Sequence, residues 1–301
     1  MHPMNTAPLP DVNDDIAETL RTNYVGFAAF SILIWDHVDT FTTEVKYIWK
    51  GQKGIIAYLF LLNRYLTPLG FMVNLFAYLS PVWTGQRCKH FIRFEGAMTV
   101  IGIHVVAIMM LLRIKALYST QRIVVGCVFL LFMIMFVVNA WLLTRGQPVE
   151  HNPHSGVRAC TMIFPPSLSV IASSSAWLPL LYDSVILVLT LMKTVPLVGK
   201  RKGTFMVKRL LEDGILYYTA IFSVTLVLTI MIISAPPGLK NIAAQLELLV
   251  TVTMMSRITL NLKKCAQKRL ESTILQDPGP IVFQTLSSPI RMESYRNPGD
   301  W

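Results

Sequence analysis

The sequence predicts an all-α polytopic membrane protein, a bundle of about seven transmembrane helices. Three observations carry this expectation. Hydrophobic residues make up 53% of the 301 positions, charged residues only 15%, and the mean hydropathy is +0.51. A soluble domain carries roughly 25% charged residues, so most side chains here are suited to lipid or to other helices. The apolar residues fall in runs long enough to span a bilayer, and Lys and Arg cluster at the ends of those runs.

A spanning helix needs roughly 20 mainly apolar residues. Such runs lie at 24–41, 55–80, 95–112, 123–144, 168–192, 214–235 and 241–262. The fourth and sixth are free of charge. Asp36 and Asp39 fall near the end of the first, and Pro179 lies within the fifth. A proline in a membrane helix is tolerated where neighbours satisfy the carbonyl it frees. These runs divide the chain into an acidic tail (1–23), a membrane domain (24–262) and a tail that is basic and then disordered (263–301).

Orientation follows from the Lys/Arg bias of short connections. With the N-terminus outside, the cytoplasmic side holds sixteen basic residues. They are Lys46, Lys50 and Lys53, then Arg113, Lys115 and Arg122, six more within 193–209, and four within 263–269. The outer side holds seven. The opening segment lacks the basic and apolar regions of a signal peptide, so the first membrane helix is expected to act as the insertion signal.

The stretch LIWDHVDTFTTEVKYIWKGQKG followed by YLFLLNRYLTP (33–68) resembles the amino-terminal signature of a family of seven-helix membrane proteins of mushroom-forming fungi, a family of unknown function. CKHFIRFEG (88–96), LLRIKALYSTQR (111–122), LPLLYDSVILVLTLMK (178–193), LLEDGILYY (210–218) and MMSRITLNL (254–262) fit the same pattern, so the resemblance spans about residues 23–265. It implies seven helices and an outside N-terminus, and it implies no activity. A receptor role would be analogy by topology.

Polar groups inside hydrocarbon are costly and are functional candidates by default. Asp36 and His37 lie near the inner end of the first run, and Asn63 and Arg64 lie at similar depth in the second. They form either a switchable, proton-sensing ion pair or a structural pair that sets helix packing. Asp183 is the best single candidate for a ligand or ion contact, with a hydrogen bond to Asn139 or to backbone as the structural alternative. Glu247 and Arg257 are ten residues apart on the last run, so each needs a partner elsewhere.

Cys88 and Cys160 both fall in outer connections and are a candidate disulfide. A metal site with His90, His151 and His154 is the alternative. Cys265, beside Lys263 and Lys264 at the inner face, is a candidate for palmitoylation. Lys200, Arg201 and Lys202 lie in the long basic connection and are candidates for coupling to a cytoplasmic signalling protein. Residues 260–275 read as a basic amphipathic helix on the membrane surface.

No stripe of basic and aromatic residues suits nucleic acid. No Gly-rich phosphate loop occurs, the last run has no lysine for a retinal Schiff base, and no nucleophile–base pair suggests catalysis. The expectation is therefore a non-enzymatic protein without a cofactor. Its partners would be the bilayer, an unknown small ligand and a signalling protein. A receptor-like sensor leads, and a carrier or channel using Asp36, Arg64 and Asp183 is the alternative.

Overall fold

The computed structural model describes residues 11–51, 53–80, 83, 85–149, 151–199, 219, 221–227, 229–231, 234 and 237–276. Helices dominate: α1 (Val12–Glu44), α2 (Ile55–Leu79), α3 (Gly85–Leu117), α4 (Arg122–Leu143), α5 (Ser174–Gly199), α6 (Ile221–Met231) and α7 (Pro237–Gln276). A π-helical turn, Val45–Trp49, follows α1 directly. The one sheet among the described residues pairs β1 (Gln147–Pro148) antiparallel with β2 (Met162–Ile163) in the α4–α5 connection.

Among the described residues, four segments are long and apolar enough to cross a membrane: Ile55–Leu79, Gln86–Leu117, Arg122–Leu143 and Val170–Lys193. The outer faces of the helices agree with that reading. Trp35, Phe76, Ile123 and Leu130 are among many large apolar side chains pointing away from the protein. A water-soluble monomer rarely exposes so much contiguous apolar surface. This is an all-α integral membrane protein.

Several boundaries differ from those expected. The helix that carries the 24–41 run starts at Val12, so part of the expected tail is helical. The last helix runs unbroken to Gln276, so the stretch at 260–275 continues α7 and is not a separate surface helix. Hydropathy marks where a helix enters hydrocarbon, but helical hydrogen bonding continues through polar sequence wherever no proline or glycine stops it. Lys200, Arg201 and Lys202, and ten residues of the 214–235 run, lie outside the described residues.

Packing centres on α3, which touches α2, α4, α5 and α7, while α1 lies along α7 in the most extensive helix pair. Leu33, Phe60, Met110, Met135, Ile186 and Val252, one from each of six helices, meet in a single buried cluster. Long-range hydrogen bonds set the helix positions. The Tyr182 hydroxyl donates to the Ala107 carbonyl (2.8 Å), Tyr118 to that of Leu189 (2.8 Å), and Arg113 Nη2 to Thr259 Oγ1 (2.7 Å). Small residues permit close approach in membrane bundles. A methyl group at Gly102 would press on Leu248 of α7.

Cys88, at the start of α3, is bonded to Cys160 beside β2, with Cα atoms 5.7 Å apart. Both are buried, in a small apolar cluster with Phe91, Ile92 and Ala77. The bond closes a loop across a sequence separation of 72 residues. Chain-entropy reasoning assigns a loop of that length about 4 kcal/mol. We predict that Cys88→Ser and Cys160→Ser each lower the thermal midpoint of the solubilised protein by a similar amount. The double substitution should cost no more than either one, as read by tryptophan fluorescence.

Candidate functional site

The buried face of α1 is a regular stripe: Asp15, Thr22, Gly26, Ala29, Leu33, Asp36, Thr40 and Glu44. Spacings of three, four and seven keep these residues on one side of the helix. The stripe ends in two carboxylates, Asp36 and Glu44, eight residues apart with Thr40 between them. Facing them on α2 is Arg64, which has no solvent-accessible surface.

Arg64 is held from several sides. Its Nε lies 2.7 Å from Glu44 Oε2, a charge contact that is poorly aligned as a hydrogen bond. Its Nη2 donates to Thr40 Oγ1 (2.7 Å) and to the His37 carbonyl (3.0 Å). Glu44 Oε1 in turn accepts hydrogen bonds from Trp49 Nε1 and the Tyr65 hydroxyl, each 2.9 Å. The π-turn after Glu44 carries Trp49, so the local unwinding brings the indole back to the carboxylate. The Phe60 ring packs against the guanidinium at 5.7 Å, within cation–π range.

The expected Asp36–Arg64 ion pair is present but long, with Arg64 Nη1 3.9 Å from Asp36 Oδ2. The short partner of Asp36 is Arg257 of α7, with Nε to Oδ1 at 2.5 Å. Arg257 Nη2 also reaches Asp39 Oδ2 at 3.0 Å. Arg257 therefore finds its partner on α1, not on its own helix. The result is one connected group (Asp36, Asp39, Glu44, Arg64 and Arg257) that joins α1, α2 and α7 at one end of the bundle.

His37 has a separate task. Pro68 has no N–H to offer the carbonyl four residues back, which is that of Arg64. His37 Nε2 donates to that carbonyl at 2.7 Å, and its Nδ1 lies 2.8 Å from the Leu33 carbonyl. The proline in α2 is thus tolerated because α1 supplies the missing donor. Asn63 is buried beside Arg64 in sequence, yet neither of its amide atoms has a hydrogen-bond partner among the described residues.

Asp183 and Glu247 lie well away from this group. Both line a cavity of about 20 Å3 among α3, α4, α5 and α7, together with Tyr182 and Thr251. Asp183 contacts the Thr225 hydroxyl of α6, where Asn139 was the expected side-chain partner. No group of three or more His, Cys, Asp or Glu side chains suited to a metal ion occurs among the described residues. Cys265 is a free, half-buried thiol on α7, and Cys127 is free and exposed on α4.

At the opposite end of the bundle is a latch that hydropathy reading missed. Asp15 Oδ1 takes His151 Nδ1 (2.7 Å), and its Oδ2 accepts from the Asn152 N–H (3.0 Å) and the Ser155 hydroxyl (2.6 Å). The start of α1 is thereby tied to the long α4–α5 connection that the disulfide also anchors. Burial raises the Asp15 carboxyl, but the bonds from His151, Ser155 and Asn152 outweigh it and leave its pKa below the ordinary value.

Residues 24–69 match the model of a family of unknown function, DUF6533. That segment is the greater part of the α1–α2 hairpin, and it contains Asp36, His37, Asp39, Glu44 and Arg64, while Arg257 lies outside it. No curated protein matches the chain.

Glu44 was legible in principle, since it sits eight residues after Asp36 on the same helical face. It was overlooked because the apolar run ends before it. Two predictions follow from these bonds. Arg64→Ala leaves Glu44 buried without its cation, and loss of one partner of such a pair costs about 3–5 kcal/mol. Arg64→Lys should recover only part of this, because an ammonium cannot reach Glu44, Thr40 and the His37 carbonyl together. Denaturation of the purified variants measures both. For the latch, a carboxyl held below its ordinary pKa contributes stability above the unfolded value of about 3.9 and loses it as pH falls through the folded value. Amide exchange at Asn152, corrected for intrinsic rate, should therefore accelerate on acidification below about pH 4, and Asp15→Asn should remove that pH dependence.

Proposed function

We propose that this membrane protein is a receptor-like sensor of the plasma membrane with seven spanning helices, its N-terminus outside and its C-terminus in the cytoplasm. In that orientation the Asp36–Glu44–Arg64–Arg257 group lies at the cytoplasmic end and the disulfide and Asp15 latch lie outside. The observation that carries the reading is the charge group itself, which fastens α1 and α2 to α7 through ion pairs of unequal burial. The Arg64–Glu44 pair is fully enclosed, whereas the Arg257 side chain is 37% exposed. An enclosed pair is expensive to break and a partly wetted one is cheap. The contact best suited to switch is therefore Arg257 with Asp36 and Asp39, which can break while the Arg64–Glu44 pair holds. A small ligand held among the outer halves of the helices would bias that equilibrium through its differential affinity for the two arrangements. The basic connection containing Lys200, Arg201 and Lys202 would then engage a signalling protein. No catalytic step is part of this reading.

The cavity lined by Asp183 and Glu247 favours a second reading, a carrier or channel using Asp36, Arg64 and Asp183. The two are separated by one pair of measurements. A sensor should co-purify with G-protein α subunits that a non-hydrolysable GTP analogue releases. Neutralising Lys200, Arg201 and Lys202 together should abolish that capture, and Arg257→Gln should increase it severalfold. If folded, surface-located protein shows no nucleotide-sensitive capture, and ion flux in vesicles is lost on Asp183→Asn, the carrier reading replaces it.

A further inference from the structure

We propose that Asp183, Glu247 and the Thr225 hydroxyl form a binding site for one small hard cation in the interior of the bundle. Asp183 stands nine residues into α5 and Glu247 ten residues into α7. At the helical rise these positions are about 14 and 15 Å from the first residues of their helices. Both carboxyls line the same cavity, and no Lys, Arg or His lines it with them. Elsewhere Asp36 and Glu44 face arginines, Asp15 is held by His151, and Glu95 of α3 accepts from the Tyr78 hydroxyl at 2.6 Å, whereas Asp183 has the Thr225 hydroxyl beside it. The Asp183–Glu247 pair brings two acidic groups to one cavity with no cationic side chain among its described lining residues.

The surrounding groups suit an ion better than a structural contact. Thr225 is 1% exposed and its hydroxyl lies against the Asp183 carboxyl, yet it makes no well-aligned hydrogen bond among the described residues. A buried hydroxyl left in that state is an available oxygen donor. Thr251 adds a second hydroxyl side chain to the lining. The Tyr182 hydroxyl, the other polar group at the wall, is committed to the Ala107 carbonyl. The cavity of about 20 Å3 is large enough to admit a water-sized sphere. Two carboxylates and hydroxyls around a space of that size make an all-oxygen set, which selects hard cations over soft ones. Polar side chains at this depth are tolerated when they face a cavity or one another, as these do.

A cation here would tie α5, α6 and α7 together, and the site shares no residue with the charge group at the other end of the cavity-bearing helices. Its test is independent of the sensor reading. The full chain, purified in nanodiscs of neutral lipid, is unfolded thermally in NaCl, CaCl2 or choline chloride at matched ionic strength, at pH 7.5 and pH 5.5 (roughly one unit either side of the ordinary histidine value). The expected result is a saturable rise in the midpoint with sodium or calcium over choline, the two arms identifying a monovalent or a divalent ion. Asp183→Asn should abolish that rise. Glu247→Gln and Thr225→Val should increase the half-saturating concentration by at least about tenfold, the least that loss of even an outer partner costs a metal site. Direct binding of 22Na or 45Ca to the wild type and to Glu247→Gln gives the same comparison should Asp183→Asn fail to fold. The proposal is overturned if choline serves as well as sodium and calcium, if the midpoint responds to pH alone, or if the carboxyl variants keep the cation effect.

Discussion

The bundle depends on where one guanidinium is placed. Arg64 has no accessible surface, and α2 brings it into a region flanked by lipid-facing side chains. An arginine does not lose its proton in a protein, so the fold has to supply anions and acceptors around it. Glu44, Thr40 and the His37 carbonyl all come from α1, which sets both the rotation of α1 about its axis and its height against α2. The backbone constraint at Pro68 acts at the same place. The carbonyl it strands belongs to Arg64, and His37 of α1 satisfies it. A charged side chain and a broken helical hydrogen bond are thus both answered by one turn of the neighbouring helix.

The α1–α2 hairpin thus supplies Arg64 and the Pro68 turn with partners from within itself, while Asp36 draws Arg257 from α7 through a more exposed contact. Arg257 approaches Asp36 and Asp39 from the rim, where water competes for its charge. The match to a family of unknown function covers much of this hairpin and not α7. The two ends of the bundle are also closed by different means. At one end charge pairs join helices. At the other, a covalent bond and the Asp15 hydrogen bonds hold the α4–α5 connection over α1 and α3.

Much of the architecture was legible because bilayer thickness imposes a length that hydropathy reveals. The runs at 55–80 and 123–144 became α2 and α4 with ends displaced by a single residue, since polar or glycine-containing sequence flanks them. The first and last helices were misjudged in extent. Their polar ends, 12–23 and 263–276, continue as helix outside the apolar run, where hydropathy carries no signal. Among the site residues, Asp36, Arg64, Asp183, Glu247 and Arg257 stood out because ionisable groups in apolar surroundings are rare. Glu44 and Asp15 did not stand out, since each lies outside the apolar runs, and Glu95 did not because it is the first residue of one.

The sequence by itself determined that the chain is a helical membrane protein, which of its charges lie among apolar residues, and that Glu247 and Arg257 had to find partners on other helices. Helical periodicity and transfer energies are local properties, and they suffice for that. Only the tertiary structure decided who meets whom. Arg64 takes Glu44 as its close partner, Arg257 reaches Asp36 across 221 residues of sequence, and Asp183 and Glu247 face one cavity. Hydropathy sets a helix's length but not its rotation or its neighbours, and those depend on packing the whole bundle at once.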